Sequence, residues 1–250
     1  VTMSYDILVL NPGSTSTKAA VYRDERPLMS RSMVHTNPDL APYPALNDQL
    51  DYRVGMVRSW LALEGYELSQ LSAVVGRGGI IPNIVSGGYR VDDALADCLL
   101  HHTVFDHASN LGGLMAREFA RPLNIPAYIY DAVTSDELLP EARVTGFKEV
   151  TRTSFCHVLN ARATGHKYAQ AMGRRYEDMN LVVAHLGGGI SVSAHSHGRI
   201  IDSVSDDAGP FSPDRGGSLN MLYVLDMCYS GKYTKAEMTK KLRGEGGMSA

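Results

Sequence analysis

A polar, turn-forming loop separates the first two β-type runs of the chain. Ile7 to Leu10 is apolar and Lys18 to Tyr22 resumes the β-type pattern, so a strand, a turn and a second strand are expected. All eight residues from Asn11 to Lys18 are polar or turn-forming, whereas a hairpin needs only about two to five. Turns rich in glycine and hydroxyl groups present backbone N–H groups to anions, and Lys18 adds a positive charge. The loop therefore indicates a phosphate site, although its spacing is not that of a Walker A loop. A polar hairpin turn is the alternative.

Strands and helices alternate through the first part of the chain. Apolar runs at 71–75 and 127–130 are typical of buried strands, and helical spacing covers 51–68, 92–100 and 112–120. This alternation favours an α/β architecture.

A second unit begins near residue 150. Thr151 to Met172 is predicted to form one long helix, and three strands follow at 181–184, 191–195 and 199–201. We therefore predict two domains, with the bounds 1–148 and 149–250.

The two predicted domains share a weak pattern. Moving residue 7 onto residue 181 places Gly13 on Gly187 and aligns one strand–turn–strand with the other. Few side chains match, so two unrelated glycine turns after strands explain the pattern equally well.

Charge and cysteine content exclude several classes of protein. The net charge of -3 over 250 residues argues against nucleic acid or an anionic membrane as a partner. No apolar run reaches transmembrane length, and no basic segment precedes a hydrophobic one near the N-terminus. Three scattered cysteines without metal or redox spacing suit a reducing compartment: Cys98, Cys156 and Cys228. We expect a cytoplasmic protein that binds neither membranes nor nucleic acids.

Two arginines stand before paired glycines, one in each predicted domain. Arg77 lies in Gly76-Arg77-Gly78-Gly79 after an apolar strand, and Arg215 lies in Phe211 to Gly217. The planar fork of arginine suits a carboxylate or a phosphate. A single exposed loop arginine would be unremarkable as a site, but two such loops could hold one anion from both sides.

An aspartate and several histidines complete the candidate groups. Asp131 ends an apolar strand, where α/β folds place active groups, although it could instead cap a helix. His107 and His157, taken alone, are more often structural than catalytic. Three histidines resemble a metal cluster but lack an acidic or cysteine partner at ligand spacing, which disfavours a metal site: His185, His195 and His197.

Seven stretches resemble butyrate kinases, of the acetate-kinase branch of the acetate and sugar kinase, heat-shock chaperone and actin superfamily. The first four are Asn11 to Lys18, Val74 to Gly79, His107 to Gly113 and Leu123 to Ala127. The others are Tyr176 to Asp178, Ala184 to Val192 and Gly209 to Pro213. The Gly-Arg-Gly-Gly and His-Ala-Ser-Asn-Leu-Gly-Gly strings favour butyrate kinases over acetate kinases. The match covers almost the whole chain.

The resemblance implies an actin-like ATPase fold of two ribonuclease H-like lobes that bind ATP, Mg²⁺ and a short carboxylic acid. The phosphate and magnesium region would be lined by Asn11, Ser14, Ser16 and Lys18, with Asp131 near Mg²⁺. The second-lobe phosphate segment would consist of His185, Gly187, Gly188 and Gly189. Arg77 and Arg215 would hold the carboxylate and the phosphoryl group, while His107 and His157 would stabilise the phosphoryl group in transit. The products would be ADP and an acyl phosphate, and a homo-oligomer is implied.

The chain departs from the resembling family at two places. Family members usually carry phenylalanine before the histidine at 157, where this chain has Cys156. If that side chain lines the acyl pocket, cysteine would admit a bulkier or branched acid. Family members also continue beyond Ala250 through a glycine-rich adenosine loop, so the resemblance implies an incomplete second lobe.

Two other functions stay open from the sequence. A sugar kinase of the same superfamily would need a catalytic aspartate to deprotonate an alcohol, and the paired Arg-Gly-Gly loops argue against it. A shortened, non-catalytic module that binds phosphate or nucleotide is the second alternative.

Overall fold

The computed structural model describes residues 4–205 and 207–250. These residues form two compact units, one running to Ser135 and the other starting at Asp136. The change of unit thus falls before the boundary predicted at 148/149.

The first unit is built on a six-stranded sheet in the order β3-β2-β1-β4-β6-β5. Its strands are β1 (Asp6–Pro12), β2 (Ser16–Arg23), β3 (Arg26–Val34), β4 (Leu71–Arg77), β5 (Gly88–Arg90) and β6 (Ala127–Tyr130). β1, β2 and β3 are paired antiparallel, whereas β1, β4 and β6 run parallel to one another. This arrangement is that of a ribonuclease H-like lobe, and the predicted α/β fold class is confirmed.

In the described residues, four α-helices accompany this sheet: α1 (Asn37–Leu40), α2 (Gln49–Leu63), α3 (Asp93–His101) and α4 (Leu111–Ala120). α2 buries Val57, Trp60 and Leu61, and α4 buries most of its length. Together with Leu8 and Leu10 of β1 they form one continuous hydrophobic core. The alternating burial of β1 shows why this sequence becomes a strand: one face packs on the core.

The second unit holds a three-stranded antiparallel sheet in the order β7-β8-β9. Its strands are β7 (Leu181–Leu186), β8 (Ile190–Ser196) and β9 (Arg199–Val204), and its helices are α5 (Val158–Ala171), α6 (Met221–Tyr229) and α7 (Lys235–Leu242). The meander β7-β8-β9 has the same order and pairing as β1-β2-β3. The predicted repeat therefore corresponds to a shared strand–turn–strand–turn–strand unit.

The helix predicted from Thr151 begins only at Val158, so the prediction is wrong for 151–157. Tertiary hydrogen bonds hold this segment in non-helical form: Ser154 N donates to Asp136 Oδ2, and Arg152 N donates to the Arg143 carbonyl. Serine and threonine, which are frequent here, compete with helical hydrogen bonds.

No helix in the described residues is long and apolar enough to cross a membrane.

Candidate active site

Three predicted site residues lie at one edge of the first sheet. In the parallel ladder Leu10 pairs with Gly76, and Arg77 pairs with Tyr130. Asn11, Arg77 and Asp131 therefore lie at or just past the carboxyl ends of three neighbouring strands. This is the edge where α/β sheets carry their ligand sites.

The loop between β1 and β2 turns its carbonyl groups into the protein. The Arg53 guanidinium donates to the carbonyls of Gly13 at 2.9 Å and, more weakly, of Ser14 and Ser16 at 3.4 Å. The Thr15 carbonyl accepts from the His35 backbone N–H at 2.8 Å. In the described part of the chain, the N–H groups of Ser14 and Thr15 donate no backbone–backbone hydrogen bond. Such a loop presents N–H donors outward, as an anion site requires.

The side chains of this loop divide between two directions. Ser14 and Lys18 are exposed, and Lys18 is paired with Asn11 across the two strands. Thr17 is buried instead, where its hydroxyl accepts from Arg53 at 2.9 Å. The exposed members supply hydroxyl and ammonium donors next to the outward N–H groups.

Arg77 is a half-buried arginine whose charge no carboxylate of the described chain neutralises. Burial lowers the pKa of its guanidinium. The flanking glycines explain its placement, because a Cβ on Gly76 would lie 2.0 Å from the carbonyl oxygen of Gly112 in α4. Backbone therefore meets backbone beside Arg77.

Burial lowers the pKa of the His107 imidazole, and the nearby positive charge of Arg77 lowers it further. Its Nδ1 accepts from the Ser109 backbone N–H at 3.2 Å and lies 2.8 Å from Ser109 Oγ. The neutral ring consequently carries its proton on Nε2, which can donate to a ligand. His107 and Ser14 both line a cavity of about 390 Å³, so the loop and the histidine share one space.

Asp131 is 2% exposed and has a left-handed backbone (φ 44°). Its Oδ1 accepts from the Gly87 backbone N–H at 2.9 Å. No helix follows directly, so the alternative that Asp131 caps a helix is wrong. The carboxylate instead ties the strand end to the segment before β5.

In the second unit, His157 and His185 stack face to face. Their ring centroids are 3.8 Å apart and the planes differ by 8°. Nδ1 of His157 lies 2.9 Å from Ser191 Oγ, and the Asn160 side-chain amide donates to Nδ1 of His185 at 2.8 Å. The Asn160 hydrogen bond leaves the proton of neutral His185 on Nε2.

The Gly187-Gly188-Gly189 turn is supported by the loop that carries Arg215. The Gly188 carbonyl accepts from Ser212 Oγ at 2.6 Å and from the Asp214 backbone N–H at 3.0 Å. Arg215 itself donates to the Asp214 carbonyl at 3.0 Å. The predicted second-lobe residues thus gather around the β7–β8 turn.

The histidines at 195 and 197 do not form a metal site. His195 is buried between Tyr176 Oη at 2.5 Å and Ser193 Oγ at 2.7 Å, and burial lowers its pKa to about 4. His197 is exposed in the following turn. Among residues 4–205 and 207–250, no cluster of three or more histidine, cysteine or acidic side chains could hold a metal ion.

Cys156 is 4% exposed and packs with Val158 and Ile200 in a small core of the second unit. Burial raises the pKa of its thiol to about 11. The residue that departs from the resembling family is thus an inert core thiol within its own unit.

Arg53 and Asn160 are site residues that the sequence reasoning missed. A signal for Arg53 was present, because 53, 57, 60 and 61 recur at helical spacing on one face, and a charge on an apolar face calls for a reason. No comparable signal marks Asn160.

Comparison with solved structures identifies the fold. A scan against protein-family models gives no match. The chain is structurally similar to the acetate kinase of Porphyromonas gingivalis, with a TM-score of 0.75 and 17% identity over 97% of this chain and 68% of that one. This likeness shows the acetate-kinase fold.

Sequence relatives then identify the family. The chain is 45% identical over 248 residues to a probable butyrate kinase of Listeria monocytogenes, covering 98% of this chain and 70% of the relative. It is 42% identical over 246 residues to butyrate kinase 1 of Clostridium acetobutylicum, covering 98% and 69%. The chain belongs to the butyrate kinase family. Membership of a kinase family implies ATP as the phosphoryl donor.

Proposed function

We propose that the chain transfers the γ-phosphoryl group of ATP to the carboxylate of butyrate or a related short- or branched-chain fatty acid. The products are ADP and an acyl phosphate, and the reaction is reversible. The observation that supports this most directly is Arg77, an uncompensated guanidinium at the parallel-strand edge beside His107 and close to the phosphate loop.

The chemistry requires cations rather than a base. A carboxylic acid with a pKa of about 4 is already ionised at neutral pH, so the nucleophile needs no deprotonation. Two anions must instead be brought together against their repulsion, and the transition state spreads charge over the phosphoryl oxygens. Arg77 would hold the carboxylate, while Nε2–H of His107 would donate to a phosphoryl oxygen.

Each unit carries candidate donors for phosphate oxygens. In the first unit these are the outward N–H groups of Ser14 and Thr15 with the side chains of Ser14, Ser16 and Lys18. In the second unit they are the Gly187–Gly189 turn with His157, His185 and Arg215. Nε2–H of His185 adds a hydrogen-bond donor to that set.

Magnesium fits this chemistry as the partner of ATP. Mg²⁺ is usually bound by one or two carboxylates, substrate phosphates and water, rather than by a cage of protein ligands. Asn11 and Asp131, an amide and a carboxylate at one sheet edge, are suitable donors of this kind. When bound, Mg²⁺ neutralises phosphate charge. We assign Asp131 to Mg²⁺ or its waters, not to proton abstraction.

We further propose a cytoplasmic location and a homo-oligomeric state. The location is supported by the cysteines, all three of which are free thiols. The oligomer is carried over from the resembling family.

Trapping the acyl phosphate with hydroxylamine tests the proposed function. Incubation with ATP, Mg²⁺ and butyrate should give the hydroxamate, and acetate and isobutyrate measure the acid preference. No hydroxamate above background with any short acid would overturn the proposal. Phosphorylation of hexoses would favour a sugar kinase, and ATP binding without any turnover would favour a non-catalytic module.

A further inference from the structure

Arg53 of α2 is a fully buried cation beneath the phosphate loop. Its Nε and Nη2 donate to Gln49 Oε1 at 3.1 and 2.9 Å, and its Nη1 reaches the Gly13 carbonyl and the Thr17 hydroxyl. The guanidinium thus connects the first turn of α2 to the loop between β1 and β2. All of these partners are neutral oxygen atoms.

Such a charge is costly to bury. Desolvation lowers the pKa of Arg53, and within the described residues no carboxylate forms an ion pair with it. An apolar side chain would suit the face of α2 that also carries Val57, Trp60 and Leu61. The arginine must therefore provide something that an apolar residue could not.

The loop contacts show what it provides. Three of the four carbonyls from Gly13 to Ser16 accept from Arg53, and the fourth accepts from the His35 backbone N–H. Because a peptide group points its N–H opposite to its C=O, turning carbonyls inward turns N–H groups outward. The charge also lies directly behind the loop, where low polarity weakens screening.

We propose that Arg53 is a positioning residue for polyphosphate binding. Its guanidinium fork holds the loop carbonyls inward, so that the N–H groups of Ser14 and Thr15 face the phosphates, and its uncompensated charge attracts the anion from behind. This inference rests on the proposed function, since it assigns ATP to that loop.

Two substitutions test it with a matched control on the same helix. Arg53→Gln removes the charge and part of the fork, and Arg53→Lys keeps the charge but not the fork. The control is Arg58→Gln, because Arg58 is exposed and its contacts in the described residues, with the Glu118 carbonyl and the Phe119 ring, do not involve the loop. Amide hydrogen exchange of residues 13–17 is measured without ligand, and Mg·ATP affinity by calorimetry.

For Arg53→Gln we expect faster exchange at 13–17 and an ATP affinity lower by about tenfold to a hundredfold, the usual effect of losing hydrogen bonds to a charged group. The KM for ATP should rise more than kcat falls, and the KM for butyrate should stay constant. Arg53→Lys should recover part of the affinity but not the exchange protection. Arg58→Gln should match the wild type in each measurement.

Several outcomes would overturn the inference. A folded Arg53→Gln protein with wild-type exchange and ATP affinity would do so, as would equal losses in Arg58→Gln. If both Arg53 variants unfold, Arg53 is purely a structural core residue. A wild-type chain that forms no acyl phosphate would defeat the proposed function instead, and the exchange experiment would still decide whether Arg53 holds the loop.

Discussion

The two units use the same three-stranded meander but support its first turn differently. In the first unit the turn lies over a continuous core and is held from within by a buried cation, Arg53. In the second unit the Gly187–Gly189 turn is held by Ser212 and Asp214 from a neighbouring loop. The comparison shows that the same kind of turn can be held either by a buried cation or by a neighbouring loop.

The cores differ as strongly as the turns. Among its described residues, the second unit has two clusters of three buried hydrophobic residues each, in place of a continuous core. Val182 and Leu186 of β7 are 75% and 76% exposed. Stability and anion binding are therefore expected to be coupled in the first unit and more separable in the second.

The largest expected effect concerns the two Arg-Gly-Gly loops. Arg77→Gln should lower acyl phosphate formation by about 10²- to 10³-fold, since it removes a preorganised charge at the reacting groups. Arg215→Gln should lower it comparably if Arg215 also holds a reacting anion. Hydroxylamine trapping measures both, with the exposed Arg121→Gln as control. A wild-type rate in either variant would show that the replaced arginine does not hold a reacting anion.

The next effect compares the cores. Leu8→Ala, in the continuous core, should cost about 3–5 kcal/mol of unfolding free energy, and Ile200→Ala, in a three-residue cluster, about 2–3 kcal/mol. The single tryptophan, Trp60, reports urea unfolding of the first unit, and amide exchange reports the second. Equal losses of unfolding free energy in the two variants would contradict the proposed difference between the cores.

A third effect is pH dependence in the second unit. The folded pKa of His195, about 4, lies below its ordinary value of 6.5, so the unfolded chain binds the proton more readily. This contribution, on the order of 3 kcal/mol, is complete above pH 6.5 and is lost as the pH falls toward 4. His195→Gln should flatten the profile and the exposed His197→Gln should not. An unchanged profile in His195→Gln would assign the loss to other groups.

The smallest effect concerns two matched capping boxes. Thr36 begins α1 in the first unit and Thr234 begins α7 in the second, each with an acid three residues later. Replacing either threonine by alanine should cost about 1 kcal/mol or less in urea unfolding. A much larger loss of unfolding free energy in Thr234→Ala would mean that α7 contributes more to the stability of the second unit than the small clusters indicate.

The sequence predicted those parts of the molecule that follow from local patterns. The strands around the phosphate loop were found because apolar residues flank a turn rich in serine and threonine. β3 was missed because only Met33 of its nine residues is buried, so no alternation marks it. The false helix at 151–157 arose because local spacing carries no information about its contacts with Asp136 and Arg143.

Candidate site residues were recognised where a motif marked them, whereas contacts between residues distant in sequence were missed. Arg77, Asp131 and the loop stood out through their positions after strands. The stacking of His157 on His185 joins residues far apart in sequence, and it depends on how α5 lies beside β7. Assignment of their roles in catalysis remains a prediction that the arginine and hydroxylamine experiments test.

The backbone contact between Gly76 and Gly112 has a consequence for sequence variation. The position of Arg77 is set by contact between two main-chain segments. We therefore expect exchanges among Leu, Ile and Val elsewhere in the core to leave that position unchanged. The same contact leaves no room for a side chain at either glycine. In a library of random substitutions, we expect the surrounding core to accept many hydrophobic combinations, while positions 76 and 112 accept glycine alone.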